Sequence, residues 1–291
     1  MAEQPMQGRV CLITGASNGI GKAAAIALAR KGASLVLLCR DRDRGETAMA
    51  EISLRAGSDD LDLLVADLSS QRQIRGAAAA FLESGRPLHV LLNNAGAVNM
   101  ERTLTEDGIE TTFAVNHLGY FLLTRLLLDR LRESAPARIV NVSSELHRRS
   151  YGGGRILYDD LNGERLYGGY RAYGQSKLAN ILFTRELARR LEGSGVTANA
   201  LHPGVVATGF GRNIRSGWVP WLKALYRPFS RDAAKGADTA VWLAATPEIE
   251  GVTGKFFKDR KLRTPAAQAL DDEDAARLWA VSEALTGLSA S

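Results

Sequence analysis

Tyr173 and Lys177 stand four residues apart in the run Tyr173-Gly174-Gln175-Ser176-Lys177. On a helix that spacing puts both side chains on one face, where an ammonium can act on a phenol. A free tyrosine, with a pKa near ~10, carries protons poorly at neutral pH, and a neighbouring cation favours its phenolate. The pair therefore offers general acid–base chemistry. Upstream, Val140-Asn141-Val142-Ser143-Ser144 leads apolar residues into two hydroxyls, either of which can hydrogen-bond an oxygen that gains negative charge. Each signal is modest alone, since Tyr and Lys often share a helix as surface residues and paired serines often only make a turn.

A second group of residues suits a phosphate-bearing ligand. Thr14-Gly15-Ala16-Ser17-Asn18-Gly19-Ile20-Gly21 follows the apolar Val10–Ile13 and opens the alanine-rich Ala23–Lys31. A Gly-rich turn between strand and helix lets backbone approach a diphosphate closely, and the unpaired N–H groups and dipole of the helix favour the anion. The next apolar run ends Leu37-Leu38-Cys39-Arg40-Asp41. At that strand end a carboxylate would bond the free 2′-hydroxyl of NAD, whereas a guanidinium matches a 2′-phosphate in charge and shape. Arg40, with Ser17, favours NADP(H) over NAD(H); Asp41 remains within reach of a ribose, and Arg40, Arg42 and Arg44 also suit a solvated helix start.

These residues must be held by alternating elements. Strands are expected at Val10–Ile13, Ser34–Cys39, Leu61–Val65, Val90–Leu92, Arg138–Val142, Val196–Leu201 and Gly254–Phe257, with helices over Ala23–Lys31, Asp41–Leu54, Gln71–Leu82, Thr111–Arg132 and Ala172–Leu191. Short apolar strands alternating with helices predict an α/β protein: a doubly wound parallel sheet of about seven strands with helices on both faces, since right-handed crossovers lay each helix on the sheet. Ligands then gather at the carboxyl ends of the strands.

The bulk properties exclude several classes. In 291 residues, 45% hydrophobic, no linker or repeat marks a boundary, so 1–291 is read as a single domain. The formal charge of +5 is scattered among acids, which gives no nucleic-acid patch and suits solubility and the attraction of an anionic cofactor. No stretch is long and apolar enough to cross a bilayer, and the first thirty residues lack the order of a signal peptide, so a cytoplasmic protein without an amino-terminal anchor is expected. Cys11 and Cys39 sit in strand-like runs and read as core; His89, His117, His147 and His202 are dispersed, and no catalytic metal is expected.

Together these motifs resemble the classical short-chain dehydrogenase/reductase family, whose pattern is Thr-Gly, three residues, then Gly-x-Gly, followed in order by an acid, Asn-Asn-Ala-Gly, a serine and Tyr-x-x-x-Lys. The resemblance runs from Thr14 to about Thr208 and implies a Rossmann fold. It implies that Asp67-Leu68 contacts adenine, although Asp67 also suits a helix cap beside Ser69 and Ser70. It implies that Asn93-Asn94-Ala95-Gly96 packs beside the cofactor, and that His202-Pro203-Gly204-Val205-Val206-Ala207-Thr208 lies along the nicotinamide with Thr208 as a hydroxyl contact. Asn116 then matches an asparagine that sits in a mid-helix distortion and holds a relay water. The implied reaction has Tyr173 protonating a carbonyl oxygen, Ser144 (Ser143 being the adjacent alternative) holding it, and Lys177 binding the nicotinamide ribose.

The stretch between Ser144 and Tyr173 is longer than in compact members and implies an inserted loop over Arg148–Tyr170. The run from Tyr173 to Phe183 and the ending Arg277-Leu278-Trp279 resemble the retinol dehydrogenase branch, which implies a lipophilic carbonyl or alcohol substrate. Trp218 and Trp221, within 209–230, fall where relatives carry a substrate lid; packing against the body, a subunit or a membrane surface is the competing reading. Family habit implies a homodimer or homotetramer. Two further classes stay open: an NADP-occupied sensor without turnover, and a C=C reductase resembling protochlorophyllide reductase. The full Asn/Ser/Tyr/Lys set favours catalysis on a carbonyl.

Overall fold

The computed structural model describes residues 4–148, 154–204 and 232–288. Val206, Thr208 and the expected lid at 209–230 lie outside the described residues. Seven apolar runs become the parallel strands of one sheet: β1 (Val10–Thr14), β2 (Ser34–Cys39), β3 (Leu61–Val65), β4 (Val90–Asn93), β5 (Ala137–Val142), β6 (Val196–His202) and β7 (Phe256–Lys258). Their order is β3-β2-β1-β4-β5-β6-β7, so the chain reverses direction across the sheet between β1 and β4. β1, β2 and β4 are buried along their whole length, as strands covered on both faces must be, and Cys11 and Cys39 are core residues within them.

An eighth strand, β8 (Lys261–Leu262), pairs antiparallel with β7 and adds one edge strand to the expected sheet of about seven. Its turn is Asp259-Arg260, and both residues have positive φ (54° and 58°). That is the geometry of a two-residue hairpin, normally signalled by Asn-Gly or Asp-Gly, and its signal is missing here.

On one face lie α1 (Gly19–Ala29), α2 (Arg42–Ala56) and α8 (Ala233–Ala245); on the other lie α3 (Gln71–Glu83), α5 (Gly119–Leu126), α7 (Gly169–Arg190) and α9 (Asp272–Thr286). Each face has its own apolar core. Ala24, Ala25 and Leu28 of α1 meet Ala237, Ala240 and Val241 of α8 on the first; Phe81, Phe121, Phe183 and Trp279 pack together on the second. Side chains supply the caps: Asp41 accepts from Arg44 N, Ser70 from Gln73 N, and Asp271 from Glu273 N and Asp274 N. The structure thus makes Ser70, not Asp67, the cap of α3.

The helix expected over Thr111–Arg132 is interrupted. After α4 (Thr111–Phe113), residues Ala114–Leu118 form a π-helical turn, α5 follows, and α6 (Leu128–Glu133) is offset from it. Apolar periodicity cannot reveal one widened turn, because the residues on either side still point into the same core.

Candidate active site

The carboxyl ends of β1 to β6 open on a cleft of about 910 Å³ beside the β1/β4 reversal. Its walls take Gly15, Ser17, Asn18, Gly19 and Ile20 from the first loop, Arg40 and Arg44 from beyond β2, Asp67 and Leu68 from beyond β3, and Asn94 to Gly96 from beyond β4. Ser144, Tyr173, Lys177, Pro203 and Gly204 complete it. Gly21 and Asn116 stand behind this lining.

At the first loop the backbone is drawn in tightly. Gly15 has φ +68°, and a Cβ there would lie 2.9 Å from Ala95 Cα; a Cβ on Gly21 would collide with the Gly15 carbonyl and Asn94 Nδ2. Thr14 latches the two loops: its Oγ1 accepts from Asn94 N (2.9 Å) and Ala95 N (3.0 Å), while Asn94 Nδ2 donates to Thr14 O (2.9 Å). The start of α1 has no side-chain cap and no acid in its first turn, which keeps its N–H groups and positive end suited to a diphosphate.

Beyond β2, Asp41 is spent on Arg44 N (2.9 Å), whereas the Arg40 side chain is 71% exposed and only loosely paired with Asp67, at 3.8 Å. Such an exposed pair holds Arg40 weakly, so its guanidinium is free to turn to an anion in the cleft. Asp67 Oδ1 accepts from Ser69 N (2.9 Å), an Asx-type bond that shapes the loop after β3.

At the other end, β5 and α7 bring the proton-handling groups together. Tyr173 and Lys177 are buried on the same face of α7, and the Lys177 Nζ lies 5.5 Å from the Tyr173 ring centre. The Ser144 hydroxyl hydrogen-bonds the Tyr173 hydroxyl, while Ser143 Oγ donates to Lys177 O (2.6 Å). The two serines are thereby distinguished: Ser143 anchors the helix backbone and Ser144 faces the phenol. Lys177 Nζ donates to Val142 O (3.0 Å). Asn116, in the π turn, binds both backbone groups of Ala97 through its amide (2.7 and 2.9 Å) and donates to Ser176 Oγ (3.0 Å).

Burial dominates the titration of this group. It raises the Tyr173 pKa above its ordinary value, with the Ser144 hydrogen bond working against it, and lowers Lys177 to about 7. Taking the phenolate out of water outweighs the Ser144 hydrogen bond, while the Lys177 Nζ is turned to the Val142 carbonyl.

The short chain dehydrogenase family model matches residues 9–218 of this sequence. The chain belongs to that family. Retinol dehydrogenase 12 of Mus musculus is 47% identical over 283 residues, covering 97% of this chain and 87% of that protein. Among solved structures, an uncharacterised protein from Mycobacterium paratuberculosis matches with a TM-score of 0.79 and 34% identity over 98% of this chain and 95% of that one. RhlG of Pseudomonas aeruginosa, solved as an active-site complex with NADP, matches with a TM-score of 0.69 and 26% identity over 92% and 99%. Within the short chain dehydrogenases the protein falls in the retinol dehydrogenase-like branch, and it is an oxidoreductase of the alcohol/carbonyl class.

For this dehydrogenase the structure adds residues that sequence reasoning passed over. Arg44, read only as part of a solvated helix start, lines the cleft in the first turn of α2. His147 donates from Nδ1 to Ser144 O (2.6 Å) and accepts at Nε2 from Ala266 N (3.0 Å), tying the serine loop to the chain before α9. No local motif marks that bond, because its partner is distant in sequence. Of the expected insertion over Arg148–Tyr170, the described stretch ahead of α7 is fastened to the loop after β4: Tyr167 donates to Asn99 O (2.8 Å) and Arg102 to Asn162 O (2.7 Å).

Proposed function

We propose that this short chain dehydrogenase is an NADP(H)-dependent enzyme that interconverts a carbonyl and an alcohol on a lipophilic substrate. The observation that carries the reading is the meeting, in one cleft, of the Ser144–Tyr173–Lys177 group with a phosphate-compatible loop and two arginines beyond β2. The bound nicotinamide would supply or accept the hydride. Gly15, Ser17, Asn18, Gly19, Ile20 and Gly21 would seat the diphosphate, and Arg40 with Arg44 would face the 2′-phosphate. Asp67 and Leu68 would border the adenine. Asn94, Ala95 and Gly96 would flank the nicotinamide ribose, with Pro203, Gly204, Val206 and Thr208 along the nicotinamide.

In reduction, Tyr173 gives its proton to the carbonyl oxygen as negative charge develops there, and Ser144 donates a hydrogen bond to the same atom. The phenol's raised pKa keeps it protonated at neutral pH, the state needed for that role. Lys177 would bind the ribose hydroxyls and stabilise the phenolate left behind, and Asn116 would order the water that returns the proton. In oxidation Tyr173 takes the proton from the alcohol. A lipophilic substrate is favoured by the 47% identity to a retinol dehydrogenase and by Val98 and Leu146 in the cleft wall. A cytoplasmic homodimer or homotetramer is the accompanying assignment; size-exclusion chromatography with light scattering tests the assembly.

The deciding experiment follows NADPH and NADH consumption over a panel of aldehydes, ketones, retinal and steroids. NADPH oxidation is expected, and Tyr173→Phe should reduce kcat by about 10²- to 10⁴-fold while retaining cofactor binding. Tight NADPH binding with no turnover on any compound would instead support the sensor reading.

A further inference from the structure

Tyr120 is fully buried on α5, outside every motif singled out in the sequence. Its ring faces the ammonium of Lys177, with Nζ 5.6 Å from the ring centre, and Tyr173 faces the same ammonium at 5.5 Å. Two aromatic rings thus face the Lys177 ammonium, which is also bonded to the Val142 carbonyl of β5. At the other end of the same side chain, the Tyr120 hydroxyl donates to Ala95 O at 2.7 Å. Ala95 belongs to the loop that Thr14 latches to the Gly-rich turn. One side chain therefore touches both the lysine and the loop between which a nicotinamide ribose must fit.

We propose that Tyr120 is a positioning residue for the cofactor and the proton-handling lysine: its ring stabilises the Lys177 ammonium, and its hydroxyl fixes the Ala95 carbonyl and with it the loop beside Gly96. The two functions separate chemically. A cation lying over a ring within about 6 Å is attracted by the ring's quadrupole, and this needs no hydroxyl. The bond to Ala95 needs the hydroxyl and no particular charge state of the lysine. The groups facing Lys177 are Tyr120 from α5, Tyr173 from its own helix, the Val142 carbonyl from β5 and, across Gly96, Asn116 of the π turn. Burial opposes its charge, so loss of one aromatic face should make the neutral lysine still easier to reach.

The proposal rests on the reading of Lys177 as a cofactor-binding residue, and its test uses binding rather than turnover. NADPH, or NADH if that is the cofactor bound, is titrated into wild-type protein, Tyr120→Phe and Tyr120→Leu by fluorescence, from mildly acid to alkaline pH. Tyr120→Phe should bind about three- to tenfold more weakly at every pH, with the alkaline loss of affinity in its wild-type position. Tyr120→Leu should show that weakening and also move the alkaline limb toward acid by up to about one pH unit. Thermal unfolding checks that each variant is folded, and the unbranched, more adaptable Tyr120→Met replaces Leu if that variant is not. Wild-type affinity in Tyr120→Phe, or an unmoved limb in the aliphatic variant, would overturn the assignment. Absence of carbonyl turnover in wild type would count against the proposed reaction while leaving these titrations interpretable.

Discussion

Tyr173 is governed by opposed neighbours: its surroundings disfavour the phenolate, and Ser144 favours it. The balance keeps the proton on oxygen, and the proposed reaction then needs the charge on Lys177, whose pKa burial lowers to about 7. The sign follows directly: Lys177 is charged below its pKa, so a step that needs the ammonium is fully available on the acid side and declines as pH rises through it. On the proposed reading, Arg40 carries the cofactor choice at this scale. Arg40→Asp places a carboxylate where the 2′-phosphate is proposed to lie, opposes it by charge and offers a partner to a free 2′-hydroxyl. The ratio of kcat/KM for NADPH over NADH should fall at least about tenfold, which corresponds to ~1.4 kcal/mol; an unchanged ratio would remove Arg40 from the reading.

At the scale of elements, the site depends on helices being held where the strands end. α5 carries Tyr120 and reaches α9 through Arg125, whose Nη1 lies 2.5 Å from Glu283 Oε1, with Trp279 Nε1 donating to the same oxygen at 2.9 Å. Burial works to raise the Glu283 pKa, yet the hydrogen bonds and charge of these partners hold it below the usual carboxylate range. Arg125 also lies over the Trp279 ring at 5.1 Å, so it closes both the ionic and the aromatic contact. Arg125→Ala leaves a nearly buried carboxylate without its hydrogen-bonded cation, with only the more distant charge of Arg190, and should lower unfolding free energy by about 3 kcal/mol in urea titrations. The two-residue neutral exchange Arg125→Met with Glu283→Gln should cost less, because no uncompensated charge remains.

At the scale of the whole molecule, His117 contributes to the response to acid. It sits fully buried among Phe113, Phe121 and Phe183, with Nε2 2.9 Å from Ser282 Oγ, next to Asn180. Burial lowers its pKa to about 3 from an ordinary value of 6.5, with the Asn180 contact opposing the shift. Between those values the unfolded chain binds the proton and the folded one does not. The stability His117 contributes is therefore intact above about pH 6.5 and falls progressively as the pH is lowered toward 3. Urea midpoints measured at descending pH should decline over that window in wild type and decline less in His117→Met. Equal slopes would show that other groups control the acid response.

The alternation of apolar strands with helices, the Gly-rich turn, the Asn-Asn-Ala-Gly segment and the Tyr/Lys spacing were legible in sequence because each is local: backbone geometry or helical periodicity ties residue type to position within a few residues. The same locality explains the limits. Which of two adjacent serines faces Tyr173 was decided by Ser143 bonding the Lys177 carbonyl across 34 positions, and the π turn left no trace in apolar periodicity. Strand β8 hid behind a turn of Asp259 and Arg260 that lacks the usual glycine. Spacing placed an ammonium near a phenol, but the direction of the phenol's pKa depended on how much water the packed sheet and helices exclude. Residue type and short-range spacing thus determined what chemistry was available; desolvation and contacts between distant segments, which exist only once the chain is packed, decided how that chemistry is poised.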